Sequence, residues 1–141
     1  RRVGNAYQYS LSPGNIAVEM IIAPGIKAEA ALLDDLKKKI VAQFGRKTVS
    51  LTLYGSVVRG TEKRGSDIDV LAIAGDERIK ADLEEKSASL APFFRERYNS
   101  LLSLHCFTLD ELRSKKTLPL LRSVKEEGVT LSGKPLRELL K

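Results

Sequence analysis

The alternation of apolar and polar residues predicts three strands. From Thr48 to Tyr54, aliphatic residues at odd positions alternate with hydroxyl residues at even positions, which is the pattern of a half-buried strand. A second strand is predicted from Asp67 to Ala74, where two Asp residues alternate with apolar residues before an apolar run. The third predicted strand is Leu101–Phe107. These strands would form the core sheet of the chain.

Apolar residues at helical spacing predict two long helices. Between Lys27 and Phe44, an apolar residue recurs every four positions from Leu32 onward, which predicts a helix whose apolar stripe packs on the sheet. A second helix is predicted from Glu77 to Tyr98, and Pro92 should end or kink it. Shorter helices are predicted at Ser56–Arg59, Asp110–Lys116, Pro119–Glu127 and Pro135–Lys141.

The composition is that of a single compact domain without a membrane-spanning segment. The chain has 141 residues, of which 43% are hydrophobic, and its longest apolar run is interrupted by Glu19 and by Pro24-Gly25, so it can build a core but does not span a bilayer. No signal peptide is visible, and the single Cys106 excludes an internal disulfide. The expected location is therefore the cytoplasm, with Cys106 as a small buried residue.

The net charge narrows the choice of partners only slightly. A formal charge of +6 favours an anionic partner such as a nucleotide, tRNA or DNA. Basic clusters such as Lys37-Lys38-Lys39 are nevertheless separated by acidic residues, and the chain contains no Trp for base stacking. Charge alone therefore does not identify a dedicated nucleic-acid-binding protein.

The first candidate site is the turn that follows the strand Thr48–Tyr54. Gly55 permits a sharp turn and the close approach of an anion to the backbone, and the first N–H groups of the short helix after it would be unpaired. The Ser56 hydroxyl and the Arg59 guanidinium would add donors for phosphate oxygens. Taken alone, however, a strand-Gly-Ser-helix junction is usually an ordinary turn that binds nothing.

The second candidate site is the carboxylate pair Asp67 and Asp69. Alternate residues of a strand share a face, so the two side chains would lie about 6–7 Å apart on the same side. A divalent cation would offset their repulsion, and oxygen ligands of this kind suit Mg²⁺ or Mn²⁺. The alternative is that Asp67 ends a polar loop and Asp69 lies at an exposed edge.

Joined together, the two sites form a specific motif. The pattern is hydrophobic-Gly-Ser, ten residues, then Asp-hydrophobic-Asp-hydrophobic, with the extensions Gly-Ser-x-x-Arg-Gly and Gly-Ser-Asp-Ile-Asp. It closely resembles the signature of the DNA polymerase β-like nucleotidyltransferase superfamily, and residues 27–141 look most similar to its minimal members. The resemblance implies an α/β (α+β) fold with a mixed β-sheet flanked by helices.

The resemblance also implies roles for individual residues. Gly55 and Ser56 would contact the β- and γ-phosphates of a nucleoside triphosphate, and Asp67 and Asp69 would be the catalytic metal ligands. The motif extensions add Arg59 and Ser66 to the predicted nucleotide-binding set. Lys63 and Arg64, in the loop between the two halves, would assist the triphosphate or form a solvated charge pair.

One position departs from the superfamily pattern. Active members usually carry a third carboxylate on a neighbouring strand, but in Leu101–Phe107 the residues that share a face are Ser103 and His105. Glu111 follows this strand, yet its spacing from Thr108 predicts a capping box at a helix start. His105 is the candidate base or ligand at the third position, with a packed or surface histidine as the alternative.

Residues 1–26 are predicted to form an N-terminal arm, and residues 27–141 the nucleotidyltransferase domain. The chain opens with Arg1 rather than Met, and the arm alternates around Tyr7, Tyr9 and Leu11. This segment resembles the last strand of a winged helix-turn-helix that precedes such domains in prokaryotic proteins, which implies a missing DNA-binding module. A disordered or edge-strand arm is the alternative.

Three functions follow from these patterns. The first is a Mg²⁺-dependent nucleotidyltransferase that moves a nucleoside monophosphate from ATP or another NTP to a hydroxyl of a protein, RNA or small molecule. The second is a non-catalytic, antitoxin-like nucleotide-binding module with a helical toxin protein as partner. The third is a ligand switch in a DNA-binding transcriptional regulator. A third carboxylate near Asp67 and Asp69 would favour the first function, and its absence beside an exposed apolar patch would favour the second.

Overall fold

A computed structural model describes residues 2–3, 6–7, 10–61, 65–114 and 118–141. The chain forms two compact units, Arg1–Leu36 and Lys37–Lys141. The domain boundary predicted between residues 26 and 27 stays a prediction.

The first unit begins with a short antiparallel ribbon. β1 (Arg2–Val3) pairs with β2 (Ala6–Tyr7), so that Arg2 lies opposite Tyr7. The ribbon covers part of the strand predicted around Tyr7, whereas Tyr9 lies outside the described residues. The winged-helix resemblance of this segment stays a prediction.

Helical structure begins earlier than the sequence predicted. A π-helical turn at Val18–Ile22 leads into α1 (Ala23–Phe44), so the prediction that the helix starts at Lys27 is wrong. Pro24 is the second residue of α1 and follows the π-helical turn directly, so it lies inside a continuous helical segment. Upstream, Asn15 Oδ1 accepts a hydrogen bond from the Ala17 N–H at 2.9 Å, which caps the start of the helical segment.

The second unit is built on a mixed sheet. Its strands are β3 (Thr48–Tyr54), β4 (Ile68–Ala74), β5 (Leu102–Thr108) and β6 (Val129–Gly133), in the spatial order β5-β4-β3-β6. β4 and β5 are parallel, and the other neighbours are antiparallel. The helices of this unit beyond α1 are α2 (Ser56–Arg59), α3 (Glu77–Tyr98), α4 (Leu109–Ser114), α5 (Pro119–Glu127) and α6 (Leu136–Leu139). α3 supplies the crossover that the parallel pair requires. The predicted mixed sheet flanked by helices is confirmed.

The two faces of the sheet pack against different helices. α3 contacts β4 and β5 and buries Leu83 and Phe94. The opposite face carries Tyr54, and the apolar cluster on this face contains Tyr54, Leu71, Ile73, Leu112, Leu121, Val124 and Leu136. The helical residues of this cluster come from α4, α5 and α6. These three helices therefore cover the face of the sheet that carries Tyr54.

The apolar stripe of α1 and the Cys106 side chain were predicted to be buried. Ile40 and Phe44 of α1 are fully buried, as predicted, but Leu32 is 55% exposed, so its place in the buried stripe was predicted wrongly. Cys106 is buried, and burial raises the pKa of its thiol to about 12. It therefore remains a protonated, structural residue at neutral pH.

The second long helix has the predicted bounds, Glu77–Tyr98. The prediction that Pro92 ends it is wrong, and the alternative of a kink at Pro92 stays a prediction. α3 continues past Pro92 to Tyr98. Proline removes one helical hydrogen bond, but Phe94, half a turn further on, is fully buried, and its burial offsets that loss. Among the helices of the described residues, none combines the length and the apolar character needed to cross a membrane.

The capping box at the start of α4 is confirmed. The Glu111 N–H donates to Thr108 Oγ1 at 3.2 Å, and the Thr108 N–H donates to Glu111 Oε2 at 3.0 Å. Lys80 Nζ, on α3, donates to both oxygens of the same carboxylate at 2.7 and 2.8 Å. Glu111 therefore has a structural role and joins α4 to α3.

Replacing Glu111 with Gln is expected to lower the free energy of unfolding by about 1–2 kcal/mol. The change preserves side-chain size but removes the charge that pairs with Lys80, whose side chain is only 18% exposed. Urea denaturation measures the effect. The matched control is Asp110→Asn, because Asp110 is the neighbouring residue and its side chain is 95% exposed. Equal stability of the two variants would contradict the structural role of Glu111.

Candidate active site

The two halves of the predicted motif meet at one end of the sheet. Because β3 and β4 are antiparallel, Tyr54 at the end of β3 lies opposite Asp69 near the start of β4. Ser103 of β5 is the register partner of Asp69 on its other side. Gly55 directly follows β3 and Asp67 directly precedes β4, so the turn and the carboxylate pair lie at the same edge.

The conformation of Gly55 is matched to the carboxylate beside it. Gly55 has φ 79° and ψ −154°, a backbone region that is essentially restricted to glycine. A Cβ added to Gly55 would overlap Asp69 Oδ2 and lie 3.2 Å from Asp69 Cγ. The glycine therefore makes the sharp turn and also leaves the space that the Asp69 carboxylate fills.

The pKa of Asp69 is raised above its usual value, first by burial and then by the negative charge of Asp67. His105, a hydrogen bond from Ser103, and Arg59 act in the opposite direction without cancelling the shift. A divalent cation bound by the two carboxylates would offset the repulsion between them. Carboxylate oxygens are also the ligands that Mg²⁺ prefers, so the residues present fit a Mg²⁺ or Mn²⁺ ion.

A third carboxylate does not join this pair within the described part of the chain. In residues 10–61, 65–114 and 118–141, no three side chains of His, Cys, Asp or Glu are arranged to hold a metal ion. The position beside Asp69 on β5 belongs to Ser103, which donates a hydrogen bond to that carboxylate. A hydroxyl therefore stands on the strand where the superfamily pattern has an acid.

His105 lies on the same face of β5 as Ser103, two residues further along. Its imidazole is exposed, and its Nδ1 is 2.8 Å from the Tyr54 hydroxyl. Burial and then the charge of Asp69 raise the pKa of Tyr54 far above its usual value, so the phenol stays protonated and its hydrogen bond orients the imidazole. His105 is also close enough to Asp69 to lower the pKa of the Asp69 carboxyl, against the larger effects of burial and Asp67.

Arg59 is held by a residue that the sequence reasoning missed. Its Nη1 donates to Glu127 Oε1 at 2.7 Å, and Ser123 Oγ donates to the same oxygen at 2.6 Å. Glu127 is 68 positions away from Arg59, so no local pattern indicated the pair. α2 itself has only four residues, and its dipole adds little. The donors predicted for an anion are therefore the backbone of the turn and the side chains of Ser56 and Arg59, and their role stays a prediction.

The remaining predicted nucleotide-binding residues lie in the loop between α2 and β4. Ser66 is half-buried and directly precedes Asp67. Lys63 and Arg64 lie outside the described residues. The loop therefore contributes Ser66 to the described part of the site.

A family model described as a nucleotidyltransferase domain matches residues 33–128. The chain is similar to a crystal structure of a toxin–antitoxin with AMP-PNP, at 21% identity and a TM-score of 0.43, over 72% of this chain and 76% of that chain.

Two mutant structures of the toxin–antitoxin MntA-HpeT are also similar. One has 16% identity and a TM-score of 0.44 over 77% of this chain and 80% of that chain. The other has 19% identity and a TM-score of 0.44 over 76% of this chain and 79% of that chain. The comparison with curated proteins gave no match.

Proposed function

The chain belongs to the nucleotidyltransferase domain family, and from this premise we propose that it is a Mg²⁺-dependent nucleotidyltransferase. It would move a nucleoside monophosphate from ATP or another NTP to a hydroxyl of a protein, RNA or small molecule. The observation that supports the proposal is the fit between Asp69 and Gly55, because the carboxylate proposed to bind the metal lies directly against the turn proposed to bind phosphate.

Each predicted site residue has a role in this proposal. The backbone at Gly55, the Ser56 hydroxyl and the Arg59 guanidinium bind the triphosphate, with Ser66 at the edge of the site. Asp67 and Asp69 hold the divalent cation. When bound, that cation neutralises phosphate charge. The protein's own groups align the phosphates and keep the acceptor in line with them.

The transfer step requires a proton acceptor as well as a phosphate site. The acceptor oxygen forms a bond to the α-phosphorus while the bond from that phosphorus to pyrophosphate breaks. We assign the acceptor's proton to Nε2 of His105, whose imidazole is exposed on the site face. In this assignment the Nδ1–H of His105 donates to the Tyr54 hydroxyl oxygen 2.8 Å away, which leaves the Nε2 lone pair free to take the proton. This assignment gives His105 the role that a third carboxylate would have in the superfamily.

Ser56→Ala is expected to weaken the affinity for Mg²⁺-ATP about tenfold, the effect of losing one hydrogen bond to a charged group. The thermal unfolding temperature should stay constant, because Ser56 is the first residue of α2 rather than its N-cap, which is Gly55, and Ser56 is only half-buried. Calorimetric titration with ATP, with and without Mg²⁺, measures the affinity. Magnesium-dependent binding by the wild-type protein would support the proposed function.

The same titration can contradict the proposal in two ways. No binding of Mg²⁺-ATP by the wild-type protein would argue against a nucleotide site of this kind. An effect of Ser56→Ala on thermal stability alone would support a plain turn at Gly55-Ser56. Transfer of radiolabel from an α-labelled NTP to candidate acceptors then tests turnover directly.

A second function is favoured by two observations. Ser103 stands beside Asp69 without a third carboxylate in the described residues. The helical segment of the first unit also exposes several large apolar side chains, namely Ile16, Met20, Ile21, Ile26 and Leu32. Both features suit a non-catalytic, antitoxin-like nucleotide-binding module with a protein partner. Tight Mg²⁺-ATP binding without label transfer would select this alternative.

A further inference from the structure

A single carboxylate oxygen connects α5 to the end of the phosphate turn. Glu127 Oε1 accepts hydrogen bonds from Arg59 Nη1 at 2.7 Å and from Ser123 Oγ at 2.6 Å. These two hydrogen bonds, that of Ser123 first, lower the pKa of Glu127, so the group is ionised at neutral pH. The guanidinium is therefore bound by a charged acceptor whose own position is fixed by a neighbouring hydroxyl.

The element that carries Glu127 is anchored in the core. Leu121 and Val124 of α5 are buried in the cluster that also contains Tyr54, and the Gly128 N–H donates to Val124 O at 2.9 Å at the end of the helix. α2 has no buried side chain. Arg59 therefore extends from a short, poorly anchored helix but is held by a well-anchored one.

The Arg59–Glu127 ion pair contributes mainly by orienting the Arg59 side chain and adds little to the free energy of folding. The Arg59 and Glu127 side chains are 48% and 30% exposed, and ion pairs with that exposure contribute little to folding. A guanidinium has five N–H donors in a rigid plane, so one bond to Glu127 leaves the others directed elsewhere. Restricting a flexible side chain before a ligand binds removes part of the entropic cost of binding.

We infer that Glu127, held by Ser123, is a positioning residue that orients the Arg59 guanidinium toward the phosphates of the bound nucleotide. The inference rests on the proposed function, because it requires a triphosphate at the Gly55-Ser56 turn. It adds α5, which contributes no residue to the sequence motif, to the nucleotide site.

A double-mutant cycle between Arg59 and Glu127 tests this inference. The full chain is titrated calorimetrically with Mg²⁺-ATP and with inorganic tripolyphosphate in the presence of Mg²⁺. Glu127→Ala is expected to weaken both affinities roughly five- to tenfold, as for one side chain that loses its pre-orientation. In an Arg59→Ala background, the same change should alter affinity less than about twofold, because the residue it positions is gone.

Two further variants separate orientation from charge. Glu127→Gln keeps an oxygen that can accept both hydrogen bonds and should recover most of the affinity lost in Glu127→Ala. Glu126→Ala is the matched control, since Glu126 precedes Glu127 on α5 but pairs with Arg122 at 3.1 Å. The Glu126→Ala variant should bind Mg²⁺-ATP and tripolyphosphate as tightly as the wild-type protein does. Unfolding temperatures of all variants should agree, which excludes a merely structural effect.

Each other outcome has a definite meaning. Unchanged or tighter binding by Glu127→Ala would overturn the inference while leaving the proposed function intact, because wild-type binding would still be present. An equal loss in the Arg59→Ala background would also overturn it, since Glu127 would then act without Arg59. Failure of the wild-type protein to bind either ligand would overturn the proposed function and, with it, this inference.

Discussion

Asp69→Asn is expected to reduce nucleotidyl transfer by about three orders of magnitude while leaving the protein folded, since a bound metal contributes several kcal/mol to catalysis of this kind. Asn has nearly the same volume as Asp but is a poor ligand for Mg²⁺. The pKa of Asp69 is raised by burial and by Asp67, so its negative charge opposes folding at pH values above that pKa. Asn removes this charge, and the unfolding temperature should stay constant or rise.

The measurement combines a radiolabel transfer assay with thermal unfolding. Asp67→Asn should show the same loss of transfer, because it removes the other proposed ligand. Asp110→Asn is the control for the chemical change itself, since the Asp110 side chain is 95% exposed and lies outside the site. Wild-type transfer rates in a pure Asp69→Asn preparation would contradict the proposed mechanism.

Gly55→Ala is expected to destabilise the protein by about 2–5 kcal/mol, as the sum of backbone strain and steric overlap, and to abolish transfer. The backbone at Gly55 has a positive φ of 79° with ψ −154°, which Ala does not adopt without strain. The new Cβ would also overlap Asp69 Oδ2. Rotating the Asp69 carboxylate away would relieve the overlap but would remove a metal ligand from the site, so activity should be lost even in the folded fraction.

Gly60 provides a matched control in the same short segment. It also has a positive φ, 64° with ψ 30°, but this is the left-handed helical region, and a Cβ there would meet no atom within 4 Å. Gly60→Ala should therefore cost only about 1–2 kcal/mol. Urea denaturation and the transfer assay compare the two variants. Equal effects would show that the contact with Asp69 is unimportant and that backbone strain alone explains the loss.

The elements that the sequence predicted well are those with strong local signals. The strand Thr48–Tyr54 has the predicted bounds, because strict alternation over seven residues leaves little choice of register. The capping box of Thr108 and Glu111 also formed as predicted, since both partners lie within one helical turn. The family motif likewise depends on two short segments with fixed spacing.

The prediction that Pro92 ends the second long helix was wrong because tertiary contacts outweigh the local effect of proline. Pro92 lies inside α3, where the burial of Phe94 outweighs the lost hydrogen bond. A local rule for helix breaking does not include these longer-range terms.

The details of the candidate site depend on contacts between distant parts of the chain. The fit of Asp69 to Gly55 follows from the antiparallel pairing of β3 with β4, which the sequence suggests only as one of several pairings. The Arg59–Glu127 contact joins residues 68 positions apart. The spacing of the motif placed Gly55 and Asp69 in one site, but the steric fit between them and the Arg59–Glu127 contact are visible only in the folded chain.

The placement of β6 next to β3 has a consequence for biosynthesis. β3 is an interior strand, but its partner on one side is β6, the latest strand of the sheet to be translated. While the ribosome completes the intervening residues, one edge of β3 has no partner strand, and unpaired edges favour intermolecular association. Glu127, which holds Arg59, belongs to the same late segment. The sheet and the nucleotide site should therefore be completed only after residues 129–133 have left the ribosomal tunnel.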